Sequence, residues 1–390
     1  MTAERLAPTD LAETETLMTR AAERGDALAF VGGGTEWNFG YPPERVDLLL
    51  DTTCLARVVD YAPADLVVEV EGGITLDALQ RALAEHGQRL ALDPPLPERA
   101  TIGGLLATNG FGPRRLRFGT LRDLIVGITL VRADGMRVRG GGKVVKNVAG
   151  FDLPKIAVGS LGTLGLIATA TFRLHPMPQA ARALRIAALP PKKLHLLGRE
   201  ILERRLEPSA TYAVRTEQGY DGCVLFEGFE TGVAEQCERF VRAAEEAGVA
   251  PPEPDGVPAF AAREAAVRTA GDLRLRIAVP PATLDALQCD VLDELARALP
   301  DARIAVYPAL GIAFVSATLG GSEGGAAIVR ARALVEAWGG NLVVLACPEG
   351  LRASVDVYGT PPPALALMAQ LKARFDPERR LAPGRFVGRL

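Results

Sequence analysis

The sequence predicts an α+β chain of two domains, and three observations carry that prediction. The first 165 residues hold four dense glycine clusters set between strand-like runs. Past Pro176 and Pro178 the clusters thin out, and helix-like and strand-like segments alternate in a pattern that repeats once. The 390 residues exceed what a single hydrophobic core usually serves. The boundaries follow from the breaks: residues 1–178, residues 179–360, and a C-terminal segment 361–390 that returns to the first domain.

The elements read in order as follows. Thr9 or Asp10 caps a first helix that ends at Gly25, with Leu17, Met18, Ala21 and Ala22 as its apolar face. Leu28–Val31 is a buried strand running into Gly32-Gly33-Gly34-Thr35, and Val46–Asp51 is a second strand. Arg57–Tyr61 and Leu66–Glu71 flank Ala-Pro-Ala-Asp as a hairpin. Thr75 caps a helix closed by Gly87. Leu124–Arg132 and Met136–Arg139 join through Ala-Asp-Gly, and Leu164–His175 is a further strand. In the second domain strands are expected at 182–188, 210–215, 222–228, 273–279, 302–306, 311–317 and 342–346. Helices are expected at 191–205, 232–247, 259–269, 282–298 and 323–338. These make two β-α-β-β-α units, packed as one antiparallel sheet with helices on one side. A last helix, Ala364–Phe375, precedes the tail.

Composition narrows the function. Hydrophobic residues at 48% and charged residues at 23% describe a globular chain. A net charge of -3 argues against chain-wide attraction to nucleic acid or anionic membrane, so an anionic ligand would be held by local donors. Cys54, Cys223, Cys237, Cys289 and Cys347 show no C-x-x-C spacing and read as reduced, mostly buried residues. The N-terminus lacks the apolar stretch of a secretory signal, and no uncharged apolar run nears the roughly 20 residues that span a bilayer. The expected location is the cytoplasm, with membrane association only through partners.

The chemistry concentrates in the clusters. In Gly32-Gly33-Gly34-Thr35 the missing side chains let backbone N–H groups converge on a phosphate. The loop is neither a G-x-G-x-x-G fingerprint nor a G-K-[ST] phosphate loop. The second cluster runs from Thr101 through Gly103, Gly104, Thr108, Gly110 and Gly112 to Arg114-Arg115, then Arg117-Phe118-Gly119 and Arg122-Asp123. The third spans Gly140 to Leu153 and includes Lys143, Lys146, Asn147 and Asp152, and the fourth is Gly159-Ser-Leu-Gly162-Thr163-Leu-Gly165-Leu166-Ile167. Each alone is a plain turn as readily as a site; their sum fits one cradle.

In this order the clusters resemble the PCMH-type FAD-binding domain of the vanillyl-alcohol oxidase family, and within it the FAD-binding subunits of bacterial glycolate oxidases. Gly112-Pro-Arg-Arg115, Arg122-Asp123, Lys146–Leu153 and Gly159–Gly165 carry the nearer likeness, over residues 1 to about 178. Phe375-Asp376-Pro377 and Pro383-Gly384-Arg385 resemble the family's closing segment, with Ala382 where relatives often have Asn. The resemblance implies a two-subdomain FAD-binding domain. Val31, Gly32, Gly33, Gly34, Thr35 and Glu36 would lie along the pyrophosphate. Thr101, Ile102, Gly103, Gly104, Ala107, Thr108, Gly110, Gly112 and Gly119 would wrap ribityl and phosphate towards the flavin ring. Gly159, Gly162, Thr163, Gly165, Leu166 and Ile167 would pass the adenosine half. Arg117, like Arg114, Arg115, Lys143 and Lys146, is a candidate contact to FAD or substrate, and Asp152 a structural residue for the loop carrying Asn147. The first loop and the second cluster contain no histidine, so FAD is expected to be non-covalent.

The resemblance also implies company: a homologous flavin subunit and an iron–sulfur subunit of a glycolate oxidase-type complex, which oxidises glycolate or a similar small 2-hydroxy acid to the 2-oxo acid. No catalytic residue is assigned and no metal site is expected. His195 is the one histidine past residue 178 and reads as a surface helix residue. Two other readings stay open: a self-sufficient FAD-dependent hydroxy-acid or alcohol dehydrogenase, and a non-catalytic assembly subunit that keeps the fold.

Overall fold

The computed structural model describes residues 3–142, 152–299, 301–319, 324–352 and 354–390. The chain forms two compact units. The first comprises Met1–Gly112, Gly119–Met177 and Pro361–Leu390; the second comprises Pro113–Phe118 and Pro178–Thr360.

The first unit begins with a parallel three-stranded sheet ordered Glu4–Leu6, Leu48–Asp51, Leu28–Val31. Helix Leu11–Arg24 supplies the crossover from Glu4–Leu6 to Leu28–Val31, the two strands that flank Leu48–Asp51. Asp10 caps it by accepting from Glu13 N at 2.8 Å, while Glu13 reaches back to Thr9 N at 2.7 Å. Gly25 closes it at φ 72°, and Met18 and Ala21 are buried against Leu28, Leu50 and Val131. Leu381 of the tail bridges Leu28 in parallel, so the C-terminus lies beside the strand that leads into the first glycine loop.

Beside it in the same unit is a five-stranded antiparallel sheet ordered Val58–Ala62, Val67–Glu71, Leu166–Arg173, Ile125–Val131, Arg137–Gly141. One face packs Val68, Val70, Ile128, Ala170 and Phe172 under helices Leu76–Ala84 and Ile102–Thr108. Strand Val67–Glu71 is buried on both faces, carboxylates included. Glu69 accepts from Arg139 Nη2 at 2.9 Å and Thr169 Oγ1 at 3.1 Å, which offsets its desolvation.

The second unit is one eight-stranded antiparallel sheet. Its order is Glu253–Asp255, Ala180–Leu189, Gly219–Gly228, Ala210–Thr216, Arg303–Tyr307, Ile312–Ala317, Leu273–Ala278, Asn341–Ala346. The two β-α-β-β-α units meet where Ala213 and Val214 pair with Val306 and Ala305. One face buries Ile186, Val224, Ile304, Val315 and Leu275 with Phe240, Leu292 and Ile328.

Three expectations need correction. Helices do not lie on one side only: side chains alternate along a strand, and Tyr212, neighbour of the core residue Ala213, faces helix Val257–Arg268 on the opposite face. There Tyr212 stacks on Phe260 at 4.7 Å, and Ser316 Oγ donates to Val267 O at 2.6 Å. The helix expected at 191–205 breaks at Gly198, whose missing Cβ would sit 3.1 Å from the Pro308 carbonyl carbon. The helix expected at 282–298 runs unbroken from Leu284 to Ala298, but it carries a π-helical turn over Leu287–Leu292 and opens with a 3-10 turn at Pro281–Thr283. The cysteines are free, as expected, but Cys54 and Cys289 are exposed rather than buried. Among the described residues no helix is long and apolar enough to cross a membrane.

Candidate functional site

Strand Leu28–Val31 delivers the chain into Gly32-Gly33-Gly34-Thr35-Glu36, and here the glycines divide their work. A Cβ on Gly33 would lie 1.6 Å from Arg99 O, and one on Gly32 would lie 2.1 Å from Thr101 Oγ1. These two are glycine because other parts of the chain press on them. Gly34 differs: its φ is 70°, and a Cβ there would meet nothing within 4 Å. Among the described residues, the amides of Gly32, Gly33, Gly34 and Thr35 find no acceptor in the chain.

The second cluster forms helix Ile102–Thr108, capped by Thr101. Its first amides are already used: Ile102 N donates to Ile74 O at 2.9 Å, Gly103 N to Gly72 O at 2.6 Å, and Gly104 N to Thr101 Oγ1 at 3.3 Å. The anion donors of this site are therefore in the first loop, not at this helix start. Gly103 backs onto Gly72, whose own Cβ would meet Ile167 O at 2.3 Å. Gly104 faces open space, with only Thr101 Oγ1 near its missing Cβ, at 3.1 Å.

The fourth cluster closes the wall. Gly159 N donates to Leu106 O at 2.8 Å and Leu161 N to Ala107 O at 2.9 Å, tying this loop to the helix. Gly162 turns at φ 76° beside the Phe30 ring, and Gly165 passes Val131 O.

Together these elements line a groove with two lobes. Gly33, Gly34, Thr35, Glu36, Thr101 and Thr108 belong to one, with Trp37, Leu105 and Arg385. Gly103, Gly162, Gly165, Leu166 and Ile167 belong to the other, with Thr52. Phe30, Val31, Gly32, Gly104, Ala107 and Leu161 line both, so the lobes are continuous.

Other expected residues stand behind the walls or elsewhere. Ile102 is core, and Thr163 is buried with its Oγ1 donating to Ser160 O at 2.7 Å. Gly110 follows the helix and, with Gly159 from the fourth cluster, ties its end by donating to Leu105 O and Leu106 O. Gly112 is pressed on Asp93 O, and Gly119 turns at φ 76° over Asp123. Arg117 belongs to the second unit, where Nη1 donates to Glu207 O at 2.9 Å. Arg114 makes a two-pronged pair with Glu227, at 2.9 and 3.1 Å. Asp152 caps helix Leu153–Ala157, while Lys143, Lys146 and Asn147 lie outside the described residues. His195 is half-buried against Glu200, at 3.1 Å, rather than a bare surface residue.

Arg385 closes the Pro383-Gly384-Arg385 motif of the tail. Its guanidinium stacks over the Trp37 ring at 4.7 Å, and Nη2 donates to Trp37 O at 2.7 Å and Phe39 O at 3.1 Å. It is the one cation among the described lining residues. Trp37 and Leu161 adjoin glycine clusters and could be found from them; the place of Arg385 in the groove carries no local signal.

The donor set fits FAD: unpaired amides and a guanidinium suit a diphosphate, and open glycine faces beside Phe30, Leu161 and Leu166 admit a flat ring. Among the described residues no cluster of His, Cys, Asp or Glu is arranged to hold a metal ion.

Comparison with known proteins agrees. Residues 3–141 match a family described as FAD binding domain. The chain is 39% identical over 137 residues to glycolate oxidase subunit GlcE of Escherichia coli (strain K12), covering 35% of this chain and 39% of that protein. It is 36% identical over 187 residues to D-lactate dehydrogenase of Archaeoglobus fulgidus, covering 47% and 40%. It is 34% identical over 180 residues to glycolate oxidase subunit GlcD of Bacillus subtilis (strain 168), covering 46% and 38%. The chain thus spans 38% to 40% of the length of these relatives. Among solved structures, alkyldihydroxyacetonephosphate synthase superposes with a TM-score of 0.72 at 18% identity, over 97% of this chain and 76% of that one, which shows a common fold. Residues 3–141 thus resemble an FAD binding domain, and FAD is the cofactor of this chain.

Proposed function

We propose that this chain is an FAD-dependent oxidoreductase of small 2-hydroxy acids, working as the FAD-binding subunit of a glycolate oxidase-type complex. The observation that carries the reading is the groove: its amides, glycine faces and Arg385 suit FAD, and relatives of this chain are named for glycolate and D-lactate. In this reading residues 1–178 and 361–390 form the cofactor domain, and 179–360 a cap for substrate or partner.

The residues divide the task by chemistry. The Gly32–Glu36 loop offers its amides to the diphosphate, so a chain of net charge -3 binds an anion without a basic surface. Arg385 adds the local positive charge, held in place by Trp37 and Phe39. Phe30, Leu161 and Leu166 exclude water from one side, and Gly104 leaves room for the cofactor. No described lining residue is a histidine or cysteine, which supports non-covalent binding. Bound FAD supplies the hydride acceptor that turns a hydroxy acid into an oxo acid. The scattered cysteines offer no iron–sulfur ligand set, so electrons leave through a partner iron–sulfur subunit, beside a homologous flavin subunit. The complex works in the cytoplasm, reaching a membrane only through those partners.

The test is the visible spectrum of the purified chain before and after anaerobic glycolate or D-lactate. The subunit reading expects flavin bands that persist in the isolated chain and bleach once partner subunits are added. A chain that binds no flavin, or flavin that no reconstituted complex reduces, overturns it.

A further inference from the structure

We propose that Lys372 is a positioning residue of the FAD groove: one buried ammonium holds the C-terminal tail and the Ser160–Thr163 loop in a single arrangement. The proposal rests on the reading of the groove as the FAD site. Lys372 lies near the end of helix Leu365–Phe375 and is only 4% exposed. Its Nζ donates to Asp376 Oδ2 at 2.6 Å, Thr163 O at 2.8 Å and Leu381 O at 2.8 Å. An ammonium has three donors, and all three are spent. Asp376, fully buried, also accepts from Arg380 N at 3.0 Å and Leu381 N at 2.7 Å.

The two carbonyls are what give the hub its meaning. Thr163 follows Leu161 and Gly162, which line the groove. Leu381 precedes Ala382, whose amide donates to Leu28 O at 2.7 Å, and the same tail carries Arg385 into the other lobe. Walls that are far apart in sequence therefore hang from one nitrogen. Burying a charge pair is a poor route to stability, because desolvation takes back most of the attraction. An apolar contact would join helix and tail at lower cost, but without direction. Three bonds at fixed angles set where both segments stand.

Two variants of the full chain separate positioning from mere stability. Lys372→Met keeps the apolar stem but leaves Asp376 buried without its cation, so both the thermal midpoint and FAD affinity fall. Lys372→Met with Asp376→Asn removes the stranded charge. Its flavin-free thermal midpoint recovers most of the loss, while FAD affinity, read by quenching of flavin fluorescence, stays down about tenfold. The bound flavin absorption band also loses fine structure. Leu292→Ala in the second unit serves as the control: it lowers the midpoint and leaves FAD affinity unchanged. If the double variant binds FAD within about twofold of the parent, Lys372 is structural and the proposal fails. A parent chain that binds no FAD would instead overturn the groove reading itself.

Discussion

In the first unit three backbones meet at Gly72, where an added methyl would stand 2.3 Å from Ile167 O and 3.6 Å from Gly103 Cα. In the second unit the tight buried contacts join side chains: Glu264 accepts from Tyr307 Oη and pairs with Arg268 at 3.4 Å, and Arg268 lies 4.2 Å over Phe314. The contrast explains where a cofactor can go. The amides at the Gly72 contact are paired, Gly72 N to Ala168 O and Gly103 N to Gly72 O, whereas the amides of the Gly32–Thr35 loop stay unpaired and face the groove. The eight-stranded sheet buries side chains on both faces.

Three substitutions sharpen that contrast. The largest effect is expected at Gly33→Ala. Its Cβ would overlap Arg99 O at 1.6 Å, and neither backbone can yield, so the cost exceeds about 3 kcal/mol and flavin is lost with the fold. Thermal denaturation checks this, and an unchanged midpoint would mean the loop is not packed as described. Gly104→Val is the opposite case. Its side chain enters the groove, so FAD affinity drops about a hundredfold with little change in midpoint. Gly162 is a poorer test site, because φ 76° strains any side chain there. The smallest effect is at Glu264→Ala, where Tyr307 and Arg268 lose a buried acceptor at about 1–3 kcal/mol. FAD affinity should not move; a drop would break the division between a side-chain-packed unit and a cofactor-holding one.

Much of this was legible in the sequence, and the misses have physical causes. The helix after Asp10 and the one after Thr75 announce themselves because cap and closing glycine are local signals. The glycine clusters pointed to the groove, yet they did not say which glycines face it. Gly33 and Gly34 look alike in sequence, but one is pressed by Arg99 and the other is open. Arg117 seemed a cofactor contact because it sits among glycines, whereas its guanidinium meets Glu207. Helix Val257–Arg268 was found, but its face of the sheet was not. Apolar residues such as Phe260 and Val267 recur around it without marking which side of a sheet they join.

The sequence by itself determined most of the elements, among them the helices capped by Asp10 and Thr75 and the strand that leads into the first glycine loop. Each of these depends on residues a few positions apart, whose backbone preferences act wherever the segment ends up. Only the tertiary structure decided that the groove has two continuous lobes. It also decided that Arg385 and Trp37 complete the first lobe, and that Lys372 ties Thr163 to Leu381. Those facts join residues hundreds of positions apart. Whether a missing side chain leaves a hole or admits a neighbouring backbone is settled only when the distant segment arrives.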